Sequence, residues 1–537
     1  MSQGTPEFLL PVWKDKVAPC GGEKGCPAET DIAGAMYALS RGWINLAWQI
    51  MMDSHPFRGI LGRVCYGFCE TPCNRGYFDS PISIQHLEMV IGDEGFNKQW
   101  KPEIKKGTGK KIVIIGAGPA GLTAAYFLVR AGHSVEVLES AEKAGGMMRY
   151  GIPEYRLERA VLDREIDFVL GLGVKLKTGV KVDKQKIKAL SKDYDAVLIS
   201  TGAHIPKNVD LGGKARNGLD FLKSISSGER KSLAGKSVLI IGGGNVAMDV
   251  CRTAIRLGAT DVTVAYRRTL DEMPAHKNEY IDAVEEGVKF KFLLSPVSFK
   301  KGTVTFQKNR IVKADQTERG RVEPVTGETV ELKADEVFLA IGQTTEEWGI
   351  TDEKSGNIFF AGDVVSTSKG TVIHAIASGR KVAAELEKRL TGESLFKEKR
   401  QEIPFSKLNI RNYFEKRMRL RQRLVPANKR KAGFGIIVER VSAAEAAVEA
   451  ERCFVCGTCI GGLDSTCDWC FRSCREGAID KKNIPWKPGE ILFEHTEDCT
   501  GCARCWEFCP RQVVTPNELP KDITPKPTGG FTMELET

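Results

Sequence analysis

The chain has 537 residues, 42% hydrophobic and 27% charged, proportions that exclude a disordered or fibrous protein and leave room for three or four domains of about 150 residues each. Its net charge is +9, and that excess sits in one segment. Sixteen cysteines in so long a chain, with no basic start and long apolar core in residues 1–16, exclude a small secreted disulfide scaffold; the expectation is a reducing cytoplasm, where clustered cysteines hold metal.

Fifteen of the cysteines fall in two groups, one toward each end. Residues 1–108 hold Cys20, Cys26, Cys65, Cys69 and Cys73. Between them residues 33–52 have helical apolar spacing, which predicts a small α-helical domain built around metal. Residues 112–129 carry no charge, close to the length of a membrane span. Gly116, Gly118, Pro119 and Gly121 instead punctuate them as strand, turn and helix, so no span is expected.

From residue 110 the chain alternates strand and helix. KKIVII, GAGPAG, LTAAYFLVRAG and SVEVLES form one βαβ unit; KSVLII, GGGNVA, MDVCRTAIRLGA and TDVTVAYRR form a second from residue 236. Two such units predict two dinucleotide-binding domains. In the first loop Gly116 permits the tight turn, Gly118 lets a pyrophosphate approach, and Gly121 lets helix and strand pack closely. Glu139 ends the next strand, where a carboxylate suits a ribose 2′-hydroxyl. The second loop reads Gly242, Gly243, Gly244, Asn245, Val246 and Ala247, and its second strand ends in Arg267-Arg268 with no acid. An arginine fork binds a 2′-phosphate that a carboxylate would repel, so NADP(H) is expected there, with NAD(H) the alternative. Cys251 stands alone and reads as a buried small apolar residue.

Residues 397–431 hold thirteen basic and three acidic residues, which accounts for the charge of the whole chain. They read as a solvated basic helical linker or as a docking face for an acidic protein partner; no nucleic-acid recognition fold accompanies them.

Cys499, Cys502, Cys505 and Cys509-Pro510 fit the bacterial ferredoxin run, whose fourth cysteine serves the other cluster. The partner run is irregular: Asp464 stands where its first cysteine is expected and Arg475 replaces the usual proline. The allocation is Cys474 with Cys499, Cys502 and Cys505 for one [4Fe–4S] cluster, and Cys467, Cys470, Cys509 and Cys459 for the other. Cys453 and Cys456 are left over, and zinc is the runner-up for this segment.

GAGPAG, GGMMRYGIPEYRL from residue 145, YRRTLDEMPA from 266, AIGQ from 340 and AGDVVSTSKGTVIHAIASGRKVA from 361 resemble the small subunit of bacterial glutamate synthase. They are also similar to the matching half of dihydropyrimidine dehydrogenase and to the large subunit of NADH-dependent ferredoxin:NADP oxidoreductase, over roughly residues 15–392. The resemblance implies an α/β fold of two nested Rossmann-like domains, the first holding FAD and the inserted second holding NADPH. It places Asp363 at the phosphate–ribityl region, and Arg149 with the turn Thr371, Val372 and Ala375 near the flavin. Pro119, Ala120, Gly146, Met147, Gly202 and Gly362 join the FAD set, and Gly342 the cofactor-binding residues generally. The N-terminal cysteines resemble the family's two-cluster domain, but only Cys20 precedes Cys26, so two full clusters cannot be built there from cysteine alone; one [4Fe–4S] cluster is expected on Cys26, Cys65 and Cys69, with a fourth ligand from Cys20, Cys73 or a carboxylate. Glu88 occupies the position of a non-cysteine ligand. Three clusters are thus expected in all. The predicted domains are 1–108 (helical, iron–sulfur), 109–233 with 345–395 (FAD), 234–344 (NAD(P)H), 396–450 (basic linker) and 451–537 (ferredoxin-like).

A nicotinamide gives up two electrons as a hydride and a cluster takes one, so a flavin between them makes a two-to-one converter. No acid–base residue is required, and none is named. The expected partners are ferredoxin or other subunits of an oxidoreductase of the 2-oxoacid:acceptor type, with electrons running in either direction. A glutamate synthase small subunit is the alternative, though the appended ferredoxin module departs from it. A disulfide reductase would need a redox C-x-x-C where the second domain has only Cys251. A non-enzymatic wiring subunit would not need Arg267-Arg268.

Overall fold

The computed structural model describes residues 9–13, 16–96, 101–312, 320–349, 356–365, 370–396, 401–408, 410 and 414–457. It also describes residues 469–474, 477, 479–481, 493–495, 505, 509–511 and 513–518. The N-terminal module is helical as expected, with helices Ile32–Ser40, Ile44–Met52, Arg58–Val64 and Ile84–Phe96. Asp31 caps the first by accepting from Gly34 N at 3.0 Å, which satisfies one orphan amide of the first turn. Glycines let the last two helices touch: a Cβ on Gly92 would stand 2.3 Å from Gly59 N.

The first βαβ unit opens a five-stranded parallel sheet in the order Ile358–Phe360, Ala196–Ile199, Lys111–Ile115, Ser134–Leu138, Lys175–Lys177. Its edge strand returns from beyond the inserted domain. The apolar run at 112–129 divides into the central strand, the glycine turn and the helix Pro119–Arg130. Among the described residues no helix is long and apolar enough to cross a membrane.

The second unit builds another parallel sheet, Lys289–Phe292, Asp261–Tyr266, Ser237–Ile241, Glu336–Leu339, Arg216–Asn217, beside a three-stranded antiparallel sheet from Leu294 to Lys333. The inserted domain begins earlier than the expected residue 234. Arg216 pairs with Phe338, and Phe221, Leu222 and Ile225 of the helix Gly218–Ser226 fill its core. The crossing itself is the antiparallel pair Ile205–Pro206 with Gln343–Thr344. A two-residue strand and a helix without a glycine motif leave no sequence mark of that boundary.

The linker also departs from expectation. Among the described residues of 396–450, 414–426 are without helix, and the helical pieces are the single turn Phe405–Lys407 and the helices Ala427–Arg430 and Ala443–Ala450. Several of its cations find partners inside the chain. Arg419 bonds Glu70, Arg423 meets Glu445 at 2.9 Å, and Arg430 meets Asp282 at 3.2 Å and Glu285. The segment is a strap across the iron–sulfur and inserted domains. Residues Leu9–Trp13, expected with the helical module, pair antiparallel with Val514–Glu518 near the other end of the chain. Cys459, Cys467, Cys499 and Cys502 lie outside the described residues.

Candidate cofactor and cluster sites

The first loop leaves the C-terminal end of the central strand. Gly116 has φ +106°, and a Cβ there would stand 2.6 Å from Ser200 O. A Cβ on Gly121 would stand 2.1 Å from Gly116 O, so the helix sits against the strand at a distance only glycine allows. Glu139 is buried; it accepts from Ala117 N at 2.7 Å and from Ala141 N at 2.8 Å. Gly146 (φ +50°) folds back so that its Cβ position is 2.9 Å from Gly118 Cα. Gly202 and Gly362 also have positive φ. Gly362 donates to Ser378 Oγ at 2.8 Å, and Asp363 follows it.

Thr371 caps the long helix Val372–Thr391, accepting from His374 N. A Cβ on Gly379 of this helix would stand 2.1 Å from Ala120 O, which locks it across the start of the helix Pro119–Arg130. The predicted FAD residues therefore gather at the C-terminal ends of parallel strands, where open α/β sheets bind ligands. Arg149 is the exception in role: its Nε donates to Ala144 O at 2.5 Å and its guanidinium pairs with Asp163, so it holds the loop Ala144–Met148 in place.

In the second loop Gly242 has φ +144°, and its Cβ would meet Ala340 O at 2.1 Å. Nothing lies within 4 Å of a Cβ on Gly244, which leaves that face of the loop open. Asn245 Oδ1 accepts from His276 N at 2.9 Å, tying the loop to the helix Lys277–Glu285. Val246 packs against the domain core, and Ala247 is fully buried. The arginine pair is split. Arg268 bonds Glu272 at 3.3 Å and Gly320 O, whereas Arg267 is exposed and has no side-chain partner among the described residues. Gly342 (φ +108°) lies at the domain crossing, its carbonyl accepting from Lys207 N at 2.9 Å. Cys251 is fully buried and its Sγ donates to Met248 O at 3.1 Å.

Cys26, Cys65 and Cys69 line one pocket together with Arg58 and Glu88. Arg58 Nη1 donates to Glu88 Oε1 at 2.8 Å. Burial pushes Glu88 up despite Arg58, drives the Cys65 thiol up to about 12, and lifts Cys69 well above its ordinary value. Close thiols in a dry pocket resist ionising one beside another, and bound metal removes that cost by supplying positive charge. Among the described residues no three metal-ligating side chains are arranged to hold a single ion, and the described cysteines form no disulfide. The all-thiol donors beside a carboxylate fit a cluster. Ile373, from the Thr371–Ala375 turn, lines the same pocket, and Phe68 packs edge-on against His374 with ring centroids 5.1 Å apart.

Cys20 and Cys73 do not line this pocket. Cys73 precedes the turn Asn74–Tyr77, and Cys453 and Cys456, unassigned by sequence, lie against that turn. Their sequence signal was a C-x2-C spacing with no visible partners. Of the predicted ferredoxin ligands, Cys470 and Cys474 are half-buried at the helix Trp469–Ser473, Cys505 is buried and Cys509 half-buried.

Residues 110–379 match the family described as pyridine nucleotide-disulphide oxidoreductase, and residues 16–100 match the 4Fe–4S domain II of dihydropyrimidine dehydrogenase. The chain is 36% identical to the NADP(+)-dependent formate dehydrogenase subunit beta of Moorella thermoacetica, over 70% of this chain and 60% of that one. It is 32% identical to the glutamate synthase [NADPH] small chain of Escherichia coli (strain K12), over 69% of this chain and 89% of that one. It is 30% identical to YgfK of the same organism over 98% of this chain and 51% of YgfK. The chain thus spans between half and two thirds of the length of several curated relatives.

Proposed function

Because the chain belongs to the pyridine nucleotide-disulphide oxidoreductase family, joined to a 4Fe–4S domain, we propose that it moves electrons between NADP(H) and iron–sulfur clusters through FAD held on the Gly116 loop. When bound, the flavin exchanges electron pairs with a nicotinamide and single electrons with a cluster. The chain's own residues bind and orient. The Gly116–Gly121 turn and the helix behind it receive the pyrophosphate. Glu139 stiffens that turn, and the Gly362 and Thr371 segments close over the other side. Arg267 faces the 2′-phosphate as the uncommitted cation, while Arg268 braces the strand end.

One observation carries the reading: the helix Val372–Thr391 begins in the flavin segment and places Ile373 in the wall of the Cys26, Cys65 and Cys69 pocket. Flavin and first cluster then share one wall. Glu88 is the fourth ligand in this reading, and two further clusters reside in residues 451–537. The partner is a ferredoxin or another subunit of a cytoplasmic oxidoreductase; the relatives' printed names include subunits of formate dehydrogenase and glutamate synthase. A role as a glutamate synthase small subunit is the second reading, favoured by the 89% coverage of that small chain.

The test is anaerobic. Oxidised full-length protein is mixed with NADPH and a viologen dye; flavin and cluster absorbance should bleach and the dye should turn blue. Absence of bleaching with both NADPH and NADH overturns the proposal.

A further inference from the structure

The pocket of Cys26, Cys65 and Cys69 leaves two N-terminal cysteines unused, and the structure brings two more to them from far along the chain. Lys16 N donates to Gly457 O at 3.0 Å, Arg75 Nη1 donates to Arg452 O at 2.8 Å, and Arg452 Nη2 reaches Asp79 at 2.9 Å. Asn74, next to Cys73, donates to Cys456 Sγ at 3.5 Å across 382 residues of sequence. Cys20 sits in the adjacent turn Pro19–Gly21, buried in the same core as Cys73 and Cys456, with Cys453 packed against it.

Three features of this quartet are those of thiolate ligands. Val455 N donates to Cys453 Sγ at 3.4 Å, and the amides of Arg75 and Ile82 reach Cys73, the N–H to sulfur bonding that tunes clusters. Val455 is a buried β-branched residue at φ +52°, a strained conformation that persists where surrounding structure over-determines it. Cys20, Cys73 and Cys456 are buried in one core and Cys453 is half-buried against it, so the four thiols lie together away from water.

We infer that Cys20, Cys73, Cys453 and Cys456 ligate a further [4Fe–4S] cluster, whose ligands come half from the N-terminal module and half from the segment after the strap. The inference rests on the iron–sulfur reading of the first module and raises the expected total from three clusters to four. The site lies on the way to the C-terminal cysteines, since Gly457 N donates to Arg511 O at 3.1 Å, two residues from Cys509. As a relay, the cluster these residues would hold would take one electron from the neighbouring cluster site and pass one on. Each transfer oxidises the donor site and reduces the acceptor, with NADPH the source, and no bond forms or breaks.

The test compares iron and acid-labile sulfide per bound FAD, with low-temperature EPR, in full-length protein carrying C20S/C73S, C453S/C456S or all four changes. Each double variant should lose about four iron atoms and the same EPR signal, and the quadruple variant should lose no more. If Cys453 and Cys456 serve a different cluster, the losses add to about eight, and the inference is overturned. Unchanged iron in C453S/C456S overturns it too, while retained flavin and a surviving signal from Cys26, Cys65 and Cys69 keep the first-module reading intact. A second measurement needs no variant. When the unaltered anaerobic protein is stripped stepwise with a chelator and alkylated, the four cysteines should become labelled together. Labelling of Cys453 and Cys456 while Cys20 and Cys73 stay protected overturns the inference.

Discussion

The two dinucleotide units share a strand, a glycine turn and a helix, yet they differ where the helix meets the strand. In the first, Gly121 has no space for a Cβ, which would stand 2.1 Å from Gly116 O. In the second, the equivalent Ala247 already carries one and is fully buried without conflict. Their strand ends differ as well: Glu139 turns inward to hold the loop's own amide, whereas Arg267 stays exposed. The first loop is braced by its own contacts and the second is open; under the proposed function the first would hold a resident cofactor and the second an exchanging one.

The largest expected effect comes from separating the two units. Arg156, before the first unit's outer helix, meets Asp249 at 2.9 Å and Glu279 at 2.6 Å in the second. Arg156→Met leaves Asp249 buried and unpaired, which costs about 3–5 kcal/mol; thermal unfolding should begin at markedly lower temperature, and an unchanged midpoint would show that the pair does not join the domains. Next is Gly121→Ala. Overpacking costs about 1–3 kcal/mol, up to about a hundredfold in binding, so purified protein should carry much less FAD. The reverse change in the second unit, Ala247→Gly, should cost only about 1 kcal/mol of stability and keep FAD. Equal FAD loss in both would erase the contrast.

Arg267→Ala should raise KM for NADPH by about 10–100-fold, the worth of a charge-assisted phosphate contact, and leave NADH unaffected. Arg268→Ala should do less, because its guanidinium is already engaged by Glu272 and Gly320. An equal rise with NADH would remove the 2′-phosphate from the explanation.

The last effect is one of pH, at the joint with the iron–sulfur module, where Glu165 accepts from Gly59 N at 2.7 Å and Ile60 N at 3.2 Å. Burial raises its carboxyl from 4.5 to about 8. Between those values the folded protein holds a proton that the unfolded chain has released. Stability therefore declines as pH rises through that window, by up to about 1.4 kcal/mol per pH unit. Glu165→Gln should flatten the decline in thermal denaturation between pH 5 and pH 8; an identical slope would assign it to other groups.

Both glycine turns, the parallel strands and the Cys26, Cys65 and Cys69 set were legible because each depends on neighbours close in sequence or on a spacing the chemistry requires. The domain crossing at Ile205 was not, since two residues of strand carry no pattern. Nor was the strap, since the carboxylates that meet its cations, Glu70, Glu445 and Asp282, lie on other elements of the chain and no pattern within the basic run records them.

Local residue type by itself determined that this chain carries dinucleotide-binding folds and a 4Fe–4S domain: a turn without side chains, an acid or an arginine at a strand end, and thiols at cluster spacing are short-range requirements. Which thiols stand together was decided only by tertiary structure. Cys456 meets the Cys73 turn across 382 residues, and no periodicity records a contact formed when a distant segment folds back onto the first module.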